Sequence, residues 1–228
     1  MSFPKTIYFC NKTLHKMEEY SDNWKKLNPD YEIKLYDNEM CEKFLLQEFG
    51  ELHRDIFNFL QDGPIKADFW RICILYAYGG VYSDIDNQPL VPIDEFVEKD
   101  VDFVTCSSYW DQMRMNYNPN FIIAKKNNII LKKCIKWYIN NYKNKKPYEF
   151  WDWSIMRVFS DILFLENYNK IDGIYYYHLD KMKIQILKEC PGMHHYDAHN
   201  VYNQKRVFNN RYITWDFVSH AFRELNLE

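Results

Sequence analysis

The chain holds 228 residues and a formal net charge of −3, from 29 Lys and Arg against 32 Asp and Glu. That length supports one sizeable core, and the even mixture of charges lacks the basic footprint that nucleic-acid binding requires. No apolar run reaches the ~20 residues of a membrane span, and the segment before Lys5 lacks the regions of a signal peptide, so a cytoplasmic protein without a membrane span is expected.

Thr6 to Cys10 reads as a first strand ending in Asn11-Lys12, and Thr13 can cap a helix that runs to about Leu27, where Asn28-Pro29-Asp30 breaks it. Tyr31 to Tyr36 alternates as a second strand. Asp37 or Asn38 then caps a helix through Phe49, stopped by Gly50, and a further helical segment covers Glu51 to Leu60.

Asp62-Gly63-Pro64 opens the next helix, with Pro64 suited to its first turn. Its apolar middle carries Trp70, Ile72, Cys73, Ile74, Leu75, Ala77 and Tyr78, and Gly79-Gly80 ends it where positive φ is needed. Asp68 and Arg71, at i and i+3, share one face of this helix. A planar guanidinium beside a carboxylate suits the reading of polyol hydroxyls and phosphates.

A short strand follows, Val81 to about Asp84, because Pro89 cannot continue a central ladder. Ligands of open α/β sheets sit beyond the carboxyl ends of the strands, where Asp84 and Asp86 fall. A turn there lets both carboxylates converge on one cation. Two hard oxygen ligands with open positions suit Mg²⁺ or Mn²⁺ carrying a diphosphate. An isolated Asp-x-Asp pair can equally decorate a solvated loop, so the weight rests on the whole spacing from Asp68 to Asp86.

Lys66-Ala67-Asp68-x-x-Arg71 followed by Leu75-x-x-x-Gly79-Gly80-Val81-Tyr82-x-Asp84-x-Asp86 resembles the DXD sugar-binding motif of glycosyltransferase family 32, shared with the Och1-type mannosyltransferases and the glucosylating clostridial toxins. Pro4-Lys5-Thr6-Ile7-Tyr8 resembles that family's first strand, with Tyr8 where the family usually has His, and Ala67 stands where it often has Ser. The resemblance covers roughly the first hundred residues. It implies a GT-A fold, α/β with a Rossmann-like mixed central sheet flanked by helices, as a single domain with a nucleotide-sugar half over about 1–106 and an acceptor half over about 107–228. It also implies a retaining transferase using a nucleotide-sugar donor, UDP-sugar favoured and GDP-mannose as the other choice, with a glycan, protein or lipid hydroxyl as acceptor. Mn²⁺ or Mg²⁺ would be the cofactor. By the same resemblance Asp68, Arg71 and Asp86 are catalytic, and Phe9, Cys10, Asn11, Asp68, Arg71, Tyr82 and Asp84 face the donor. Asp84 and Asp86 hold the metal with His220, His195 standing in reserve. Two rivals use the same residues: a metal-dependent nucleotide-sugar hydrolase or nucleotidyltransferase, and a sugar-binding module without turnover.

In the second half, Phe103 to Cys106 and Phe121 to Ala124 read as strands, and Asn127 or Asn128 caps a helix from Ile129 to about Tyr142. The polar, aromatic stretch 107–118 between those strands reads as a loop bearing Tyr109, Trp110, Asp111 and Arg114. Trp151, Asp152 and Trp153 precede a helix from Ser154 to Leu165; the resemblance to family 32 implies that they are acceptor-site candidates, while the residues alone read as a hydrophobic staple at a helix start. Residues 171–177 and 182–187 are strand-like. His194, His195 and His199 have no cysteine pair to complete a zinc site, and the six scattered cysteines carry no Cys-x-x-Cys, so buried reduced thiols are expected. Arg206 and Arg211 are candidates for neutralising phosphates, or else plain surface arginines. Aromatics make up 18% of the chain, which favours sugar binding only slightly because most rings serve the core.

Overall fold

The structure, a computed structural model of the chain, describes residues 3–109, 116–163, 165, 171–177, 182–192 and 197–211. Strands β1 (Thr6–Cys10), β2 (Glu32–Tyr36) and β3 (Gly80–Ser83) are parallel. Strand β6 (Tyr117–Ala124) runs against both β3 and β5 (Phe103–Ser107), and β8 (Met182–Pro191) runs parallel to β5. It follows that the carboxyl ends of β1, β2, β3, β5 and β8 share one edge of the sheet with the amino end of β6.

Beyond β8 the sheet continues as an antiparallel ribbon through β9 (Asp197–Tyr202), β10 (Lys205–Arg211) and the short edge strand β4 (Asn87–Pro89). The first half of β8 also pairs with β7 (Gly173–Tyr177). Asp84 to Asp86 is therefore the junction at which the chain leaves β3 of the main sheet and enters β4 of the ribbon.

Strand alternation divides the interior in two. Tyr8 and Tyr82 face a core shared with the helices α2 (Asn38–Phe49), α3 (Glu51–Phe59), α4 (Gly63–Tyr78), α6 (Ile129–Lys143) and α8 (Ile155–Ile162). Ile7, Phe9 and Val81 face a second core with Trp24 of α1 (Met17–Leu27), Ile93 of α5 (Ile93–Phe96) and Phe208 of β10. Asp37 caps α2 by accepting from the Met40 amide, and Asn128 caps α6 by accepting from Ile130 and Leu131.

Helix α4 is buried nearly all round, which fits its apolar middle. Gly79 and Gly80 do more than end it. Gly79 has φ 70 and Gly80 φ 108, and an added Cβ would meet the Lys126 backbone N at 2.8 Å and the Thr6 carbonyl O at 2.8 Å, respectively. Only glycine lets β3 enter between β1 and β6 so closely behind the helix.

Several expected boundaries shift. Helix α1 starts at Met17 behind Lys16, which has φ 59, so Thr13 caps nothing. Strand β6 begins at Tyr117 and takes in part of the stretch read as a loop, α8 is shorter than expected, and β8 extends to Pro191. The segment around Pro89, which the proline keeps out of a central ladder, contains β4, whose edge position tolerates proline. The hairpin of β9 and β10 was not expected from the sequence. It is turned by Asn203 and Gln204, both at positive φ.

Candidate active site

Strand β3 ends at Ser83, and a turn closed by the Asn87 amide donating to the Asp84 carbonyl (3.1 Å) carries Asp84, Ile85 and Asp86. Behind it lies Arg71 of α4, 4% exposed. Its Nη2 pairs with Asp84 Oδ1 and Asp68 Oδ1, each at 3.2 Å; its Nη1 donates to the Pro119 carbonyl at 2.7 Å and its Nε to the Ala67 carbonyl at 3.2 Å. The guanidinium also lies over the Tyr82 ring, 4.3 Å from its centroid. Arg71 is thus turned inward, toward the protein groups that fix Asp84.

Tyr82 completes this support from below. Its hydroxyl donates to Asp84 Oδ1 at 2.7 Å, and the ring is buried. Asp68 is committed as well: Oδ2 accepts from the Ile155 amide at 3.0 Å, at the first turn of α8, where Ser154 is the cap. Burial pushes the Asp68 carboxyl up to about 6, against the opposing pull of Arg71 and the Ile155 amide.

The two carboxylates of the turn differ. Asp84 is raised by burial, opposed by Arg71 and by the Tyr82 hydroxyl. Asp86 is raised well above the usual carboxylate range by burial and then by the Asp84 charge, and among the described residues it has no ion-pair partner. Two neighbouring carboxylates, one of them unpaired, are a donor set that fits a divalent cation. No third His, Cys, Asp or Glu joins them among the described residues.

The second wall comes from strands far away in sequence. Glu189 of β8 is 2% exposed; its Oε1 accepts from Asn118 Nδ2 at 2.6 Å and Asn210 Nδ2 at 3.1 Å, and its Oε2 from the Tyr109 amide at 3.2 Å. Burial lifts its carboxyl to about 7, with those donors pulling it down and the Asp84 charge adding to the rise. Asn210 in turn donates to Asn200 Oδ1 at 3.0 Å, and Asn87 Nδ2 donates to the Asn120 carbonyl at 2.9 Å. Both amide atoms of Asn120 and the Oδ1 atoms of Asn87 and Asn210 are buried without a partner among the described residues. Buried polar atoms of this kind demand water or ligand hydroxyls.

Sequence reasoning had overlooked Glu189, although it obeys the rule that singled out Asp84: a carboxylate at the carboxyl end of a strand directed toward the same edge. The other expected positions are distributed as follows. Asn11 is exposed just past β1, its Oδ1 accepting from the Lys12 amide, and half-buried Cys10 has its sulfur 3.8 Å from the Tyr82 hydroxyl. Phe9 is fully buried against Trp24 with ring centroids 6.3 Å apart, so its side chain faces the core and not the edge. Trp153 is likewise core, its Nε1 donating to the Pro147 carbonyl. Trp151 and Asp152 lie half-buried in the short helix α7 (Phe150–Trp153), with Asp152 paired to Arg157 and Lys146. Arg206 is exposed on β10. His194, His195, His220, Trp110, Asp111 and Arg114 lie outside the described residues, as does the side-chain environment of Arg211. His199 is on β9, and burial lowers its pKa, followed by the nearby charge of Arg206. All six cysteines are free thiols. No helix among the described residues is long and apolar enough to cross a membrane.

Residues 15–103 match the family described as "Glycosyltransferase sugar-binding region containing DXD motif". The initiation-specific alpha-1,6-mannosyltransferase of Candida albicans is 33% identical over 81 residues, 35% of this chain and 21% of that protein. Mannosyl phosphorylinositol ceramide synthase SUR1 of Saccharomyces cerevisiae is 33% identical over 110 residues, 42% of this chain and 27% of that protein. The matched stretch thus spans only about a fifth to a quarter of these curated relatives. Among solved structures, PaToxG Glycosyltransferase superposes with a TM-score of 0.50 over 71% of this chain and 70% of that one, at 17% identity, a likeness of fold. Residues 15–103 thus resemble the sugar-binding region of DXD-containing glycosyltransferases, and the chain as a whole shares the GT-A fold.

Proposed function

We propose that the protein is a glycosyltransferase that moves a hexosyl group from a nucleotide-sugar donor to a hydroxyl acceptor, with Asp84 and Asp86 binding a divalent cation, Mn²⁺ or Mg²⁺. The observation that carries this reading is the carboxylate turn at the end of β3, with Arg71 and Tyr82 holding Asp84 and Asp86 left unpaired. When bound, such a cation would neutralise the charge that develops on a diphosphate leaving group. Arg71 fixes the orientation of Asp84, so the protein presents that oxygen without reorganising. Asp68 joins Arg71 to the start of α8 and so sets the distance between the donor edge and the segment bearing Trp151 and Asp152, the acceptor side of the reading.

Retention at the anomeric carbon fits this frame by attack from the face that the leaving group vacates. Glu189, the other buried carboxylate at this sheet edge, is covered by Asn118 and Asn210 and so is not presented as a nucleophile for a covalent sugar adduct. Both curated relatives carry mannosyl in their names, so GDP-mannose belongs in the donor panel beside the UDP-sugars.

The test is sugar transfer measured with UDP- and GDP-sugars, with and without Mn²⁺ or Mg²⁺, in wild type and Asp86→Ala. Product carrying the added sugar, lost in the variant while its fold is kept, supports the reading. Retained turnover in the variant overturns the metal assignment, and free sugar or pyrophosphate as the sole product indicates the hydrolase or nucleotidyltransferase instead.

A further inference from the structure

Strand β6 departs from its neighbour β5 beside the carboxylate turn. Val104 is opposite Ile123 but Cys106 is opposite Asn118, so β6 carries extra residues across an irregularity in the ladder. The carbonyls freed from the β5 ladder are put to use at the site. That of Pro119 accepts from Arg71 Nη1 at 2.7 Å, and that of Asn120 accepts from the Asp84 amide at 2.8 Å and from Asn87 Nδ2 at 2.9 Å. The residue just before this pair, Asn118, has its side-chain amide nitrogen bound by Glu189 at 2.6 Å, while its Oδ1 accepts from the Asn120 amide at 3.3 Å.

We propose that Glu189 is a positioning residue for Arg71 and Asp84, acting through the bulged segment Asn118-Pro119-Asn120. Its carboxylate ties three elements together: β6 through Asn118, β10 through Asn210, and the end of β5 through the Tyr109 amide, and its own amide donates to Ser107 Oγ at 3.2 Å. A bulge has no ladder to hold it, so its shape follows from what pins its ends. Ser83 paired with Phe121 pins one end; at the other, pairing with Cys106 holds the Asn118 backbone and Glu189 holds its side chain, whose Oδ1 accepts from the Asn120 amide. Loss of the Glu189 bond therefore loosens the two carbonyls on which Arg71 and Asp84 rest. Only the effect on ligand binding depends on the transferase reading, whereas the anchoring itself does not.

The experiment compares the full-length wild type, Glu189→Ala and Glu189→Gln by amide hydrogen exchange and by titration with UDP and GDP in the presence of Mn²⁺. Glutamine keeps an oxygen for Asn118 and Asn210, so it should hold the bulge. Loss of an anchoring hydrogen bond corresponds to about tenfold in a local opening equilibrium, so Glu189→Ala should lower protection of the Asp84 amide about tenfold. Ile7 and Val104 should keep wild-type protection, and Glu189→Gln should restore Asp84 to within about threefold of wild type. Nucleotide affinity with Mn²⁺ should fall and recover in the same order. Unchanged Asp84 protection in Glu189→Ala, an equal loss at Ile7 and Val104, or no rescue by glutamine each overturns the proposal. If Glu189→Ala does not fold, Asn118→Ala cuts the same link from the β6 side and must give the same local loss at Asp84. A wild type that binds neither nucleotide with Mn²⁺ refutes the transferase reading, while the exchange comparison still decides the anchor.

Discussion

The two walls of the candidate site are built by different means. On one side, Asp68, Arg71, Tyr82, Asp84 and Asp86 fall within nineteen consecutive residues, and a single helix, a Gly-Gly stop and one strand bring them together. On the other, Asn118, Glu189, Asn200 and Asn210 come from β6, β8, β9 and β10 and meet through strand pairing. The first wall is an ion network with one buried guanidinium among carboxylates. The second is a band of neutral amides around one carboxylate. The difference teaches where each wall is vulnerable: the first to loss of one charge, the second to proton uptake and release.

The largest effect is expected on the first wall. Arg71→Ala leaves the buried Asp68 and the partly exposed Asp84 without their shared cation, which costs about 3–4 kcal/mol, the low end for broken buried pairs because Asp84 is 31% exposed. Urea denaturation measures this, and a loss below about 1 kcal/mol would mean that water already screens the pair.

A smaller effect separates the second wall. Glu189 has its carboxyl raised from 4.5 to about 7, so the folded state binds a proton that the unfolded chain releases at lower pH. Its contribution to stability is therefore full below about 4.5 and is lost as pH rises to about 7, by roughly 3 kcal/mol. Glu189→Gln should flatten that part of the stability profile, and a profile identical in the two proteins would show that Glu189 is not the titrating group. Asp84 and Asp86 are raised too, so Mn²⁺ should stabilise the protein more at pH 8 than at pH 5, because the metal competes with protons for the same oxygens.

Two substitutions sharpen the contrast on the scaffold. Gly80→Ala places a Cβ 2.8 Å from the Thr6 carbonyl at φ 108, and should cost about 2 kcal/mol and lower Tm. Ser154→Ala removes the cap that accepts from the Met156 amide, next to the Asp68 clasp, and calorimetry should register about 1 kcal/mol.

How legible each wall was in the sequence follows from the same difference. The apolar middle of α4, its Gly-Gly stop and the carboxylates after β3 are local signals, and the structure joins Asp68, Arg71 and Asp84 in one network with unpaired Asp86 beside it. The direction of Arg71 was not legible: a guanidinium on a helix face reads as a ligand contact until the Pro119 carbonyl is seen to hold it. Phe9 and Asn11 differ for a comparable reason, since side chains alternate along β1 and Phe9 falls on the face packed against Trp24. The ribbon was harder still. Strands β9 and β10 bury Asn200 and Asn210, paired through their amides, so apolar alternation, the signal by which strands are recognised, is missing there. The Asn203-Gln204 turn carried a hairpin signal that only its partner strands make readable.

The central claim is that the Asp84 and Asp86 turn is a cation site for a nucleotide diphosphate. It is tested most directly by calorimetric titration of UDP and GDP into wild type and Asp86→Asn, each with and without Mn²⁺. Wild type should bind one of the nucleotides at least about tenfold more tightly with Mn²⁺, and Asp86→Asn should lose that increment while melting within a few degrees of wild type. Equal affinity with and without the metal, or an increment that survives in Asp86→Asn, would contradict it.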